Sequence, residues 1–252
     1  MDFKNLREQM KNKKTFSTIL PSLNIEVFGK PYTLDDEITV SGLMELENLS
    51  MFYAGVANLL MDKYSLSPDV VNSLTTIDIM WLVAQLKKVS DGNLIKITFE
   101  CPHCKTNLNA EINIDEIKIK NVDKFQKIYD VSDTLKIEVG VPYFGDYFEL
   151  IKDFKKEDKN NVAKLTKQNI DMFKYSIKKF YIGDKVEEID HKRRYSDDFD
   201  KFIKEELRET YKLFKLYLDK EVPEIDYSKK IVCAKCKKDI ELDISDFFYS
   251  ML

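Results

Sequence analysis

Two Cys-x-x-Cys tetrapeptides, Cys101-Pro102-His103-Cys104 and Cys233-Ala234-Lys235-Cys236, constrain this chain more than any other feature. Their offsets are equal, since 233 − 101 and 236 − 104 are both 132. The flanks match as well. Phe99 and Ile231 each stand two residues before the first cysteine, and Lys105 and Lys237 each follow the second. Leu108, Ala110 and Ile112 align with Ile240, Leu242 and Ile244, all on alternate positions. Each unit therefore reads as strand, turn, strand. A two-residue gap lets both sulfurs of one turn face one ion, and four thiolates complete the tetrahedral shell that zinc prefers. The spacing predicts that Cys101, Cys104, Cys233 and Cys236 meet around one structural zinc per chain. No open coordination position would remain for catalysis. Binding energies of about 10–16 kcal/mol in small zinc peptides would then clamp the base of the long insert between Cys104 and Cys233.

Two rival readings stand beside zinc: a redox pair, and reduced thiols with no metal. Redox chemistry needs the first thiol at a helix N-terminus, where its pKa falls. Here Lys105 to Ile112 alternates like a strand, and a matched second pair has no redox role.

The 252 residues are enough to bury a core without metal or disulfides, with 44% hydrophobic and 12% aromatic side chains. Forty Lys and Arg against 44 Asp and Glu give a net charge of −4, which argues against a chain that coats nucleic acid. Seven glycines and six prolines disfavour glycine-rich phosphate loops. With two histidines, no Ser/His/Asp or Cys/His set emerges, and no carboxylates pair in an apolar context. The expectation is a protein that is not an enzyme. No apolar run approaches the roughly 20 residues of a membrane span. Met1 to Arg7 lacks a secretory apolar core, so synthesis in a reducing cytoplasm is expected.

Phe3, Leu6 and Met10 suggest a short amphipathic helix or arm over 2–14. Leu23, Ile25 and Val27 alternate up to Gly29-Lys30-Pro31 and predict a hairpin with Tyr32-Thr33-Leu34. Ser41 to Tyr64 predicts one long helix, Pro68 to Leu74 a short one, and Ile77–Val89, capped by Thr76, a third. After Gly92 the period becomes two, with strands at Leu94–Phe99, Leu108–Ile114 and Leu135–Val141. Residues 152–159 are a charged, solvated stretch. Asn161–Tyr181 and Asp197–Leu218 predict helices, the second ended by Pro223. The fold class is α+β. Residues 1–93 form a hairpin and helical lobe, and 94–252 a lobe of strands and inserted helices closed by the zinc-ribbon-like knuckles. The two lobes are separate or integrated.

His103, mid-turn, is expected to face solvent. His191-Lys192-Arg193-Arg194 lies among Glu187, Glu188, Asp190, Asp197 and Asp198, and reads as a solvated loop before a nucleic-acid contact. Lys229, Lys230, Lys235, Lys237 and Lys238 crowd the second knuckle, where they would offset the charge of a tetrathiolate. The ending Phe247-Phe248-Tyr249-Ser250-Met251-Leu252 packs on the core or docks on a partner.

Taken in order, these patterns resemble the baseplate hub subunit and hub-assembly family of T-even-like contractile-tailed bacteriophages. The residues carrying the likeness are Leu20-Pro21-Ser22 before a hairpin and long helix, then Leu74-Thr75-Thr76-Ile77-Asp78. Leu86-Lys87-Lys88-Val89-Ser90-Asp91-Gly92 follows, leading into the first knuckle. Val139-Gly140-Val141-Pro142, the second knuckle and Asp246-Phe247-Phe248 complete the series. Residues 143–196 carry none of it, and Lys87-Lys88 stands where an arginine is more usual. The resemblance implies a non-enzymatic structural subunit or assembly chaperone of the tail baseplate hub. Its partners would be other baseplate or hub proteins, with self-association open. Its location would be the host cytoplasm during assembly and the virion tail. The competing class is a zinc-ribbon nucleic-acid adaptor or transcription accessory protein.

Overall fold

The computed structural model describes residues 15–44, 49–151, 161–189, 194, 196–226 and 228–243. The predicted N-terminal helix, the charged stretch 152–159 and the aromatic ending lie outside them. The fold is α+β, as expected.

Strand β1 (Phe16–Ile19) pairs antiparallel with β2 (Glu26–Gly29). The hairpin partner of Val27 is thus upstream, not Tyr32-Thr33-Leu34 as the alternation suggested. Thr33 and Asp36 explain the difference. The Thr33 N–H donates to Asp36 Oδ2, and the Asp36 N–H donates to Thr33 Oγ1. This reciprocal cap satisfies orphan helix N–H groups and starts α1 (Leu34–Met44). The predicted helix 41–64 is covered by α1 and by α2 (Leu49–Tyr64), with 45–48 not described. Then follow α3 (Pro68–Ser73) and α4 (Thr76–Asp91), close to expectation. Asp78 on α4 is fully buried and accepts from the Ser22 N–H and hydroxyl. The Tyr64 hydroxyl donates to the Leu82 carbonyl at 2.7 Å, and Trp81 Nε1 to Thr18 Oγ1 at 3.1 Å, so α4 is tied to α2 and to the hairpin.

Gly92, at φ +96°, turns the chain into β3 (Leu94–Glu100), which pairs with β4 (Asn107–Asn113). A 3-10 turn leads to β5 (Lys118–Lys120). Next come β6 (Gln126–Asp130), β7 (Leu135–Gly140), α5 (Phe144–Ile151) and α6 (Val162–Ser176). The predicted helix 161–181 ends at Ser176, and β8 (Ile177–Ile182) replaces its last turn. β-Branched and aromatic residues at 177–182, followed by Gly183 at φ +57°, favour a hairpin with β9 (Lys185–Glu188) over more helix. The predicted helix 197–218 is two helices, α7 (Asp197–Glu206) and α8 (Arg208–Lys220). Leu207 breaks them at φ −104°, ψ 21° and is completely buried, which lets each helix turn its own apolar face inward. β10 (Glu224–Asp226) pairs with β5, and β11 (Ser228–Val232) with β12 (Asp239–Asp243).

Two compact units divide these elements. One comprises 1–68, 78–120 and 225–252, and the other 69–77 and 121–224. This partition is discontinuous in sequence.

The second unit is built on a four-stranded sheet in the order β6-β7-β8-β9. Ile137, Val139, Ile177, Phe173, Leu207, Phe214 and Tyr217 form its fully buried core. A Cβ on Gly140, at the end of β7, would lie 2.7 Å from the Phe125 carbonyl oxygen. Gly140→Ala should therefore cost about 1–3 kcal/mol, read as a lower urea midpoint.

Candidate metal centre

The two knuckles share their strand register and the backbone bonds that close their turns. In β3–β4, Phe99 pairs with Leu108, and in β11–β12 the counterparts Ile231 and Ile240 pair in the same register. Each turn is closed by equivalent backbone bonds. The Lys105 N–H donates to the Cys101 carbonyl and the Lys237 N–H to the Cys233 carbonyl, both at 2.9 Å. The Cys101 N–H donates to the Thr106 carbonyl at 2.9 Å, and the Cys233 N–H to the Lys238 carbonyl at 3.0 Å. Lys105 and Lys237 both adopt φ +59°, the left-handed conformation that reverses the chain after the second cysteine.

This shared geometry brings all four predicted cysteines together. Their sulfurs all lie within 4.8 Å of one another. Cys101 Sγ is 3.8 Å from Cys236 Sγ, and Cys104 Sγ is 3.7 Å from Cys233 Sγ, and both of these contacts join the two hairpins. Covalent S–S bonds of about 2.05 Å are excluded by these distances. A tetrahedron with metal–sulfur bonds of about 2.3 Å has edges of about 3.8 Å, the separation observed. Cys101 and Cys233 are fully buried and pack with Ile240, Phe99 and Leu108. His103 is exposed on its turn, as expected.

The thiols are electrostatically unequal. The Thr106 hydroxyl and backbone hold Cys104 down at about 6. Backbone N–H groups of Cys236 and Lys235 lower Cys233, against the effect of desolvation. Cys236 is pushed up to about 11, where desolvation and the neighbouring thiols outweigh a lowering bond from the Lys238 backbone. Four thiols this close would release their protons on binding a divalent cation. Thr106 was not singled out by the sequence reading; only its place in the tight turn marks it.

The basic run at 191–194 departs from expectation where it is described. Arg194 is buried, not solvated. Its Nη1 pairs with Asp146 Oδ2, and its Nη2 donates to the Ile177 carbonyl at 3.0 Å. Lys178 lies beside this pair, with Nζ 3.2 Å from the Tyr143 ring centroid and no hydrogen-bond partner. Glu138, also buried, accepts from the Tyr181 hydroxyl. Nothing in the charged segments around these residues signals burial; the sheet and α5 bring them together.

Burial lowers the Lys178 ammonium from its ordinary value to about 7, and Arg194 adds repulsion. The unfolded chain keeps the usual lysine value, so above about pH 7 the unfolded state holds the extra proton. Stability should rise with pH from about 7 towards 10, by at most about 1.4 kcal/mol per unit. Urea titrations near about pH 7.5 and 9.5 measure this, and Lys178→Met should flatten the slope and stabilise the lower-pH state.

The chain is thus an α+β protein with two matched cysteine hairpins in one cluster. A family described as T4 bacteriophage base plate protein matches residues 12–249. That match spans nearly all of the 252 residues, and the chain belongs to this family of phage baseplate proteins. Comparison with curated proteins and with solved structures gives no match. The family points to other baseplate proteins as partners and to the virion tail as location. Among the described residues, no helix is long and apolar enough to cross a membrane.

Proposed function

We propose that this chain is a non-enzymatic structural subunit or assembly chaperone of the baseplate hub, acting through protein–protein contacts. In this reading Cys101, Cys104, Cys233 and Cys236 hold one structural zinc. The observation that carries it is the convergence of two matched hairpins, 132 residues apart, with sulfur separations of 3.7 and 3.8 Å. Four thiolates fill the shell, so the ion would brace the fold and activate no water. The brace falls on both flanks of the segment 121–224 and so limits how the chain can open there. The hub assignment rests on the ordered sequence patterns, and assembly would take place in the host cytoplasm.

The test is purification of the tagged chain from infected cells without chelator. One zinc per chain and co-purification with hub subassemblies are expected, and Cys233→Ser should lose both. A metal-free, stable chain, or one recovered with no baseplate protein, would overturn the reading. The nucleic-acid adaptor alternative requires DNA or RNA binding that weakens steeply with salt. The net charge of −4 and the pairing of Lys229 with Glu116 favour protein contacts.

A further inference from the structure

The outward face of α1 carries an apolar stripe that the described residues leave uncovered. Leu34 and Ile38, one turn apart, are 76% and 72% exposed. Gly42 extends the stripe by another turn, and among the described residues a Cβ added there would meet nothing within 4 Å. Glycine destabilises a helix interior, and the packing of α1 does not require it at 42. The opposite face of α1 is taken. A Cβ on Gly55 of α2 would lie 2.2 Å from the Leu43 side chain, and Asp36 pairs with Lys63. Two further acids, Asp35 and Glu37, border the exposed stripe, one on each side. Both are exposed, and among the described residues neither carboxylate has a partner. No lysine or arginine occurs between 34 and 44 to offset them.

We propose that residues 2–14 of the same chain cover this stripe, laying Phe3, Leu6 and Met10 against Leu34, Ile38 and Gly42. The apolar residues of that segment recur at i, i+3 and i+7, the period of a helix face. Its charge is opposite to that of α1. Lys4, Arg7, Lys11, Lys13 and Lys14 stand against Asp2 and Glu8, in a chain whose net charge is −4. On a helix, Arg7 and Lys11 would run along one border of the apolar face, beside Asp35 or Glu37 according to its direction. The point of attachment is also close. The segment leads into β1, whose Phe16 pairs with Gly29, and Leu34 follows Gly29 by five residues. The start of α1 therefore lies within about 17 Å of Gly29. Phe3 to Met10 as a helix spans about 10 Å and Leu34 to Gly42 about 12 Å, so the two stripes match in length. The chain from Met10 to Phe16 can bridge about 20 Å back to the strand.

Methyl and aromatic spectra of the full chain test this directly. Cross-relaxation between the Phe3 ring and the Leu34 or Ile38 methyl groups is expected. Trypsin cleavage after Arg7 gives a second readout, because proteolysis follows the population of the released segment. Ile38→Glu and Leu6→Glu should each speed that cleavage about tenfold, and Asp35→Asn combined with Glu37→Gln about threefold, whereas Glu111→Gln on β4 should not. Leu6→Glu lies outside α1, so it decides the matter if Ile38→Glu disturbs that helix. Phe3 contacts to Ile19 or Phe28 of the hairpin in place of α1, no contact at all, or cleavage indifferent to the substitutions would overturn the proposal. So would contacts found only between differently labelled copies, since the segment of a second chain would then be the occupant.

Discussion

If the four cysteines hold zinc as proposed, Cys233→Ser should release it and lower the stability of the cysteine-bearing unit by more than about 3 kcal/mol, a small part of the roughly 10–16 kcal/mol typical of zinc peptides. The effect is large because Cys233 is fully buried and its sulfur lies 3.7 Å from Cys104. Losing one thiolate leaves three sulfurs of uneven basicity around a site built for four. Cys101→Ser should behave alike, since the two knuckles share their hydrogen bonds and register. His103→Ala should retain metal, because that side chain is exposed. Elemental analysis and the visible absorption of a cobalt-loaded sample, read beside thermal melts, check all three. A wild-type chain whose melt is indifferent to chelator would count against the brace.

Asp146→Ala should destabilise the second unit by about 3–5 kcal/mol, because it strands the Arg194 charge in the interior. Arg194 is 4% exposed and Asp146 5%. The guanidinium also caps the Ile177 carbonyl, at the junction where α6 becomes β8. The paired substitution Asp146→Leu with Arg194→Met should recover much of the loss, as apolar replacements of buried ion pairs commonly do. Urea unfolding of the two variants and the double variant measures the coupling directly. Additive losses would show that the pair is not a unit.

The cysteine site was legible because its signal is local and repeated. A two-residue gap, a matching alternation and an identical offset need no tertiary knowledge, and the hairpins appear close to where the alternation put them. Helices with clear periodicity and capping residues, such as α3 and α4, were equally legible. The errors share another cause. Ile177 to Ile182 continues the spacing of α6 well enough to read as helix, and only pairing with β7 makes it a strand. Leu207 sits in an unbroken helical pattern, and burial against the sheet core decides that the helix stops there. Thr33 and Asp36 did carry a local capping signal, but the alternation before them masked it.

Sequence alone determined the α+β class, from local periodicity, and the four-cysteine constellation, from two matched local motifs at a constant offset. Tertiary structure alone decided which charges are buried and which apolar side chains of α1 stay exposed. Arg194 stands in a basic run and Lys178 among other lysines, and residue type alone does not mark either for the interior. Their burial depends on which strands and helices cover them. That is a property of long-range packing, which no local window of sequence contains.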